Sequence, residues 1–93
     1  MKIKLARGTH DIFGKNIQKF NRIYNKLCNI AETFSFEEIQ TPIFESTNLF
    51  SKPLGEQSDV VLKEMYTFLD RGGESLTLRP EYTTPIIRAA ISN

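Results

Sequence analysis

Residues 76–83 read Leu-Thr-Leu-Arg-Pro-Glu-Tyr-Thr and are the most informative stretch of this 93-residue chain. The alternation of apolar and polar side chains predicts a β-strand, which ends at Pro80 because proline has no N–H to donate. A helix is expected directly after it, capped by Thr83 or Thr84, with Pro85 in the first turn, where a missing N–H costs nothing. The stretch therefore predicts a strand-to-helix junction.

The residues before this strand predict a β-hairpin. Met65–Leu69 and Leu76–Arg79 both alternate apolar and polar side chains, and the glycine-containing run Asp70–Glu74 lies between them.

The helix after the junction is expected to turn three isoleucines inward, namely Ile86, Ile87 and Ile91. It would be only about two turns long at Asn93, and so short a helix is marginal without neighbours to pack on. We therefore expect the 93 residues to be a truncated piece of a longer protein.

The first half of the chain is dominated by one predicted amphipathic helix between Lys15 and Phe34. Its apolar residues recur every three or four positions, which places on one face Ile17, Phe20, Ile23, Tyr24, Leu27, Ile30, Ala31 and Phe34. The helix is expected to fade at Ser35, and residues 2–14 are expected to be an extended arm or a turn.

The segment that follows is predicted to be an edge strand or bulge from Phe36 to Phe44, because Pro42 interrupts an otherwise strand-like run. Capping side chains are expected from Glu45, Ser46 and Thr47 before a short turn at residues 48–50. Pro53 and Gly55 are expected to end that turn, and residues 55–59 to form an exposed loop. Together the predicted elements indicate an α+β fold, an antiparallel sheet with flanking helices.

Composition favours one soluble globular unit, with 40% hydrophobic and 25% charged residues. The net charge of +1 offers no electrostatic footprint for nucleic acid or an anionic membrane. Cys28 is the only cysteine and lies in the apolar stripe, which predicts a buried, reduced thiol and favours a cytoplasmic location. No stretch has the length and hydropathy of a signal peptide or a membrane span.

The junction itself carries groups that could bind a small polar ligand. The Glu81 carboxylate could accept charge-assisted hydrogen bonds from an ammonium group, and the free N–H groups of the helix start suit an anion. In the alternative interpretation, Glu81 and Thr83 are only a capping pair for the helix. Spacing alone does not decide between the two.

Other polar and aromatic residues favour structural roles. His10 is the only histidine, with no cysteine or second histidine at metal-ligand spacing, so no metal site is predicted. We expect core or interface packing from Phe20, Tyr24, Phe34, Phe36 and Phe44. Three arginines are expected to be surface or ion-pair groups rather than phosphate ligands: Arg71, Arg79 and Arg88, of which Arg79 is the best candidate ligand.

Five blocks occur in a characteristic order: Arg7–Asp11, Thr41–Glu45, Gly55–Asp59, Lys63–Arg71, and Leu76–Glu81 followed by Thr83. In this order they resemble the start of the histidyl-tRNA synthetases. The resemblance implies that residues 1–93 are the N-terminal part of a class II synthetase catalytic domain, with an incomplete sheet. Its first motif would comprise the helix from Lys15 to Phe34 and the strand through Pro42, which in the family builds the homodimer interface.

The same resemblance implies a role for the junction. Glu81 and Thr83 match the family positions that hold the α-amino group of the substrate histidine, with Tyr82 between them and Arg79 as a possible support. Many relatives have glycine at the position of Tyr82, so its ring could narrow the pocket or change the path of the backbone.

In the family, ATP with Mg²⁺ activates histidine, whose carboxylate attacks the α-phosphate, and the histidyl group then passes to tRNA(His). The second and third motifs, the histidine-specific loop and the anticodon-binding domain are expected beyond Asn93. No catalytic residue is therefore assigned within residues 1–93. This piece alone is expected to bind no cofactor and to be inactive, because clamps on the phosphate charge are needed.

Two other functions remain open at this stage. A synthetase-like regulatory subunit of ATP phosphoribosyltransferase would bind histidine without charging tRNA, but the Lys63–Arg71 run and the Gly55–Asp59 loop resemble the tRNA-charging branch. An independent dimerisation module built from the first motif is the third possibility, which a concentration-dependent mass measurement would distinguish.

Overall fold

The computed structural model describes residues 1–54 and 64–93, which fall into two compact units, residues 1–38 and 39–93. The predicted loop at residues 55–59 lies outside the described residues. Within the described ranges, no helix combines the length and apolar character needed to cross a membrane.

The first unit contains one helix, α1 (Gly14–Thr33), which confirms the predicted helix to within one residue at each end. It ends at Thr33, just before Ser35, where the sequence predicted that it would fade, because Ser35 takes a left-handed conformation with φ of 63°. The Ser35 N–H donates to the Glu32 carbonyl oxygen at 3.0 Å and the Phe36 N–H to that of Ala31 at 3.1 Å. These two bonds satisfy carbonyl groups that the last turn of a helix otherwise leaves free.

The apolar face of α1 is not a core within this chain. No α1 residue is buried, and Phe20, Phe34 and Phe36 are all more than half exposed. Of the predicted core or interface packing, the core part is therefore wrong for these three aromatics, and interface packing stays a prediction. Cys28 is half-buried rather than buried, with its Sγ 3.8 Å from Oε2 of Glu38. The physical reason is that one helix has no second layer within its own unit to bury a stripe against.

A carboxylate ties the segment after α1 back to the helix. The Tyr24 hydroxyl donates to Glu38 Oε1 at 2.7 Å. This hydrogen bond raises the pKa of Tyr24, because the phenol would lose the bond and gain a like charge on ionisation.

The second unit is built on a three-stranded antiparallel sheet with the order β1-β3-β2. Its strands are β1 (Phe44–Ser46), β2 (Thr67–Leu69) and β3 (Ser75–Leu78). The pairing of β2 with β3 confirms the predicted hairpin, and Asp70 closes its turn by accepting the Glu74 N–H at Oδ1, 2.8 Å away. Gly73 has φ of 89°, a conformation that glycine adopts without strain.

The predicted strand from Phe36 to Phe44 is wrong in its bounds, because β1 starts only at Phe44. Pro42 cannot donate a ladder hydrogen bond, so the chain before Phe44 is not paired as a strand. β1 is nevertheless an edge strand of the described sheet, as expected.

The described part of the second unit also contains two helices, α2 (Thr47–Leu54) and α3 (Thr83–Ser92), which pack against each other. The predicted caps at residues 45–47 are wrong for Glu45 and Ser46, which lie in β1, where the chain still pairs with β3. The helix extends one residue past Pro53 and ends at Leu54, directly before Gly55, so the predicted end of this segment at Pro53 and Gly55 is confirmed to within one residue of Pro53. These three helices and three strands confirm the α+β class in the described part of the chain.

Among the residues of the second unit whose burial is described, the core is partly polar. The buried residues there are Glu45, Phe50, Thr77, Pro85 and Ala89. The predicted inward isoleucines are wrong, since Ile86, Ile87 and Ile91 are between 36% and 79% exposed. Pro85 and Ala89, four residues apart, form the buried stripe of α3 instead, because small side chains let the helix lie close to its neighbours.

Candidate functional site

The strand-to-helix junction lies where the sequence predicted it. β3 ends at Leu78 and α3 begins at Thr83, so four residues connect them. Glu81, Tyr82 and Thr83 are all exposed at the first turn of α3. The structure thus brings the three predicted ligand-binding residues together on an open surface.

The Glu81 carboxylate caps α3. Its Oε1 and Oε2 accept the Thr84 N–H at 3.2 and 3.1 Å. The prediction of Thr83 or Thr84 as the capping residue is therefore wrong: the N-cap residue is Tyr82, it makes no side-chain cap, and the capping carboxylate precedes it. The physical reason is that an anion satisfies a free N–H better than a neutral hydroxyl does.

The cap also affects the charge of Glu81. Hydrogen bonding from Thr84, through its side chain first and then its backbone, and from the Thr83 backbone N–H lowers the pKa of Glu81. The exposed carboxylate is consequently ionised at neutral pH. Because a carboxylate offers about four acceptor positions, these donors from Thr83 and Thr84 leave room for a further donor. The capping and the ligand-binding interpretations are thus compatible.

Tyr82 fits its place without backbone strain. Its φ of −104° and ψ of −20° are accessible to any residue, so the position has no need of glycine. The phenolic oxygen accepts the Thr41 N–H at 3.1 Å. This bond is the leading cause that lowers the pKa of Tyr82.

Arg79, which directly follows β3, also connects the junction to the segment before β1. Its Nη1 donates to the carbonyl oxygens of Thr41 at 3.0 Å and Pro42 at 2.8 Å. Its Cζ lies 4.4 Å from the centroid of the Tyr82 ring, within cation–π range. The backbone N–H of Arg79 donates to Ile43 at 2.9 Å.

The other two predicted arginines are not at the junction. Arg71 is exposed in the hairpin turn, and Arg88 donates from Nε to Glu45 Oε2 at 2.5 Å, which confirms the ion-pair prediction for Arg88. Sequence reasoning assigned Glu45 to a cap and missed this buried pairing. The available signal was its place after Phe44 in an alternating run, which puts its side chain on the opposite face of the strand.

A cavity of about 690 Å³ adjoins the junction through Arg79 and Pro80. Its remaining lining is Ile43, Glu64, Met65, Tyr66 and Leu78. The Glu81 carboxylate lies outside this lining, so this cavity and the capping carboxylate are distinct features. Among residues 1–54 and 64–93, no three His, Cys, Asp or Glu side chains cluster as metal ligands, and His10 is exposed.

Comparison with known proteins gives a consistent result along the chain. A family model described as histidyl-tRNA synthetase matches residues 8–93. A histidine–tRNA ligase of Gluconobacter oxydans is 54% identical over 87 residues, which cover 94% of this chain and 21% of the relative.

Comparison with solved structures gives the same result as comparison of the sequences. The chain resembles apo histidyl-tRNA synthetase of Staphylococcus aureus with a TM-score of 0.78 and 42% identity, over 95% of this chain and 22% of that one. A Bacillus halodurans protein is described as an ATP phosphoribosyltransferase regulatory subunit/histidyl-tRNA synthetase. It has a TM-score of 0.77 at 22% identity, and the match covers 100% of this chain and 24% of that one. At that identity the likeness concerns the fold alone. The chain spans about a fifth of the length of the relatives it matches.

Proposed function

Since the chain belongs to the histidyl-tRNA synthetase family, we propose that the intact protein is a histidine–tRNA ligase that activates histidine with ATP and charges tRNA(His). The observation that carries the proposal is the family match over residues 8–93, nearly the whole chain. It is supported by a relative named histidine–tRNA ligase that is 54% identical across 94% of the chain.

Within these 93 residues, the proposed substrate-binding groups are Glu81 and Thr83, which take the α-ammonium group of histidine, with Tyr82 between them. Three properties of Glu81 support this role: its carboxylate is exposed, its pKa is lowered, and the donors of Thr83 and Thr84 occupy only part of its acceptor capacity. An ionised carboxylate facing an ammonium is a charge-assisted pair, the stronger kind of hydrogen bond.

The proposed reaction begins when the histidine carboxylate attacks the α-phosphate of ATP, with Mg²⁺ as the accompanying ion. By holding the ammonium end, Glu81 would leave the carboxylate of histidine free for this attack. We assign residues 1–93 to the N-terminal part of a class II catalytic domain. Groups that stabilise charge on the phosphate are proposed to lie elsewhere in the intact protein, so these 93 residues alone are expected to be inactive.

A homodimer and a cytoplasmic location belong to the same proposal. α1 exposes a row of large apolar side chains, Phe20, Ile23, Leu27 and Ile30, each more than half accessible. Apolar surface of this kind is usually covered by a partner. We propose that α1 and the segment through Pro42 contribute to the interface between two copies, and that tRNA charging takes place in the cytoplasm.

The test is amino-acid-dependent ATP–pyrophosphate exchange by the intact protein, followed by charging of tRNA(His). We expect exchange with histidine and none above the blank with other amino acids. Histidine binding without exchange would instead favour the regulatory-subunit function, for which the likeness to the Bacillus halodurans protein supports only the fold. The absence of both binding and exchange would contradict either function.

A further inference from the structure

Two side chains of the strand-to-helix junction bind the segment before β1, which lies about 40 positions earlier in the chain. Arg79 reaches the Thr41 and Pro42 carbonyl oxygens, and the Tyr82 hydroxyl oxygen accepts the Thr41 N–H. Thr41 is therefore held at both its donor and its acceptor, by residues on either side of Glu81.

The link is reinforced by a contact between the two side chains themselves. The Arg79 guanidinium lies over the Tyr82 ring, with Cζ 4.4 Å from the ring centroid. A planar guanidinium can stack flat on a ring while its edge directs N–H groups at carbonyl oxygens, whereas an ammonium has no plane to stack. Arg79 is thus fixed both by the two carbonyls and by the ring.

The position of this link determines what it can influence. Tyr82 is the N-cap residue of α3 and directly follows Glu81, whose carboxylate accepts the Thr84 N–H. A displacement of the Tyr82 backbone would therefore move Glu81 and the first turn of α3 together. Fixing Tyr82 against Thr41 fixes the direction in which the Glu81 carboxylate points.

We infer that Arg79 and Tyr82 form a clamp on Thr41 and Pro42, and that both are positioning residues for the Glu81 carboxylate toward the ammonium group of an amino-acid substrate. This inference rests on the proposed function. It gives Tyr82 a role that differs from substrate contact, because its hydroxyl is already used by the Thr41 N–H.

The clamp is tested in the intact protein with Tyr82→Phe, which keeps the ring and removes the acceptor, and Arg79→Lys, which keeps the charge and removes the planar fork. Hydrogen–deuterium exchange of peptides that contain Thr41 is the first readout. We expect faster exchange around Thr41 in both variants, whereas unchanged exchange would overturn the clamp whatever the protein's function.

The second readout is the KM for histidine and for ATP in pyrophosphate exchange. We expect the histidine KM to rise about 2- to 10-fold in each variant, the change typical of one hydrogen bond, with the ATP KM unchanged. Arg71→Lys is the matched control for Arg79→Lys, because Arg71 is exposed in the hairpin turn and the change should leave both KM values unchanged. A faster exchange around Thr41 with an unchanged histidine KM would overturn the positioning role.

These measurements distinguish a failure of the proposed function from a failure of the positioning role. If the unmutated protein shows no histidine-dependent exchange of pyrophosphate, the proposed function fails and the positioning role fails with it. If the unmutated protein is active and Glu81→Ala is impaired but neither Tyr82→Phe nor Arg79→Lys is, the positioning role is overturned and the proposed function stands.

Discussion

At the scale of single residues, the helix cap formed by Glu81 is compatible with its proposed role in substrate binding, although sequence patterns present the two as alternatives. Its carboxylate caps α3 through the Thr84 N–H, as a structural interpretation requires. The same carboxylate is exposed and has acceptor capacity left for an ammonium group. A carboxylate that caps a helix has restricted rotamers, so it would already be oriented before a substrate binds.

The capping role predicts a pH dependence of stability. Because the pKa of Glu81 is lowered from 4.5, the ionised cap stabilises the fold above that value, and the contribution is lost as pH falls through the folded-state pKa. We expect Glu81→Gln to be less stable than the unmutated protein at pH 7, with the gap shrinking on acidification to pH 3. Thermal melts at both values measure it, with Glu32→Gln on α1 as the control for loss of one charge. A gap that stays constant with pH would contradict the ionised cap.

At the scale of secondary-structure elements, the buried face of the sheet is held by hydroxyl groups. Thr77 on β3 is fully buried, and its Oγ1 lies 3.0 Å from that of Thr67 on β2 and 2.9 Å from that of Thr47 on α2. Thr47 also reaches Ser75 Oγ at 2.7 Å. These bonds join two strands and one helix, so a polar residue occupies the place where an apolar one would be expected.

The Thr77 network gives a stability prediction. Thr77→Val keeps the shape and removes the hydroxyl, which leaves Thr67 and Thr47 each without one partner. We expect a loss of about 1–2 kcal/mol in the free energy of unfolding. Thr77→Ser, which keeps the hydroxyl and loses a methyl group, is the control. Denaturant unfolding measures both variants, and a valine variant as stable as the unmutated protein would show that the hydroxyl contributes nothing.

A second link between elements is the ion pair of Glu45 on β1 with Arg88 on α3. The Glu45 side chain is 6% exposed and that of Arg88 is 32% exposed. Removing one partner of a buried pair leaves an uncompensated charge, whereas replacing both can be nearly neutral. We expect Arg88→Met to lose about 3 kcal/mol, the low end of the range for buried pairs, because Arg88 is partly accessible to water.

The double variant Glu45→Leu/Arg88→Met is the control for that prediction. We expect it to recover a large part of the stability lost in Arg88→Met, as measured by denaturant unfolding. If the double variant is less stable than the single one, the two side chains do not act as a pair, and the loss must come from packing around Arg88 instead.

At the scale of the whole molecule, local patterns predicted elements well and tertiary contacts poorly. The three-and-four spacing gave α1 to within one residue, and the glycine-containing turn gave the hairpin. The inward isoleucines of α3 failed because a buried ion pair and two small residues set the rotation of that helix. Such pairings join residues about 40 positions apart, which periodicity does not register.

In the candidate site, too, local patterns were predictable and contacts between distant residues were not. The junction and its carboxylate were predictable, because a strand, a proline and a helix start fix their order along the chain. The contacts of Arg79 and Tyr82 with Thr41 were not, since nothing in the local pattern relates residues 38 to 41 positions apart.

The most direct test of the whole proposal is the specificity constant for histidine in the Glu81→Ala variant of the intact protein. A hydrogen bond to a charged group contributes roughly 1.5–3 kcal/mol, so we expect kcat/KM for histidine to fall about 10- to 150-fold while the ATP parameter changes little. A thermal melt of the same variant monitors the cap, whose loss should cost about 1 kcal/mol. An unchanged histidine constant in a destabilised variant would contradict the proposal and leave Glu81 as a helix cap alone.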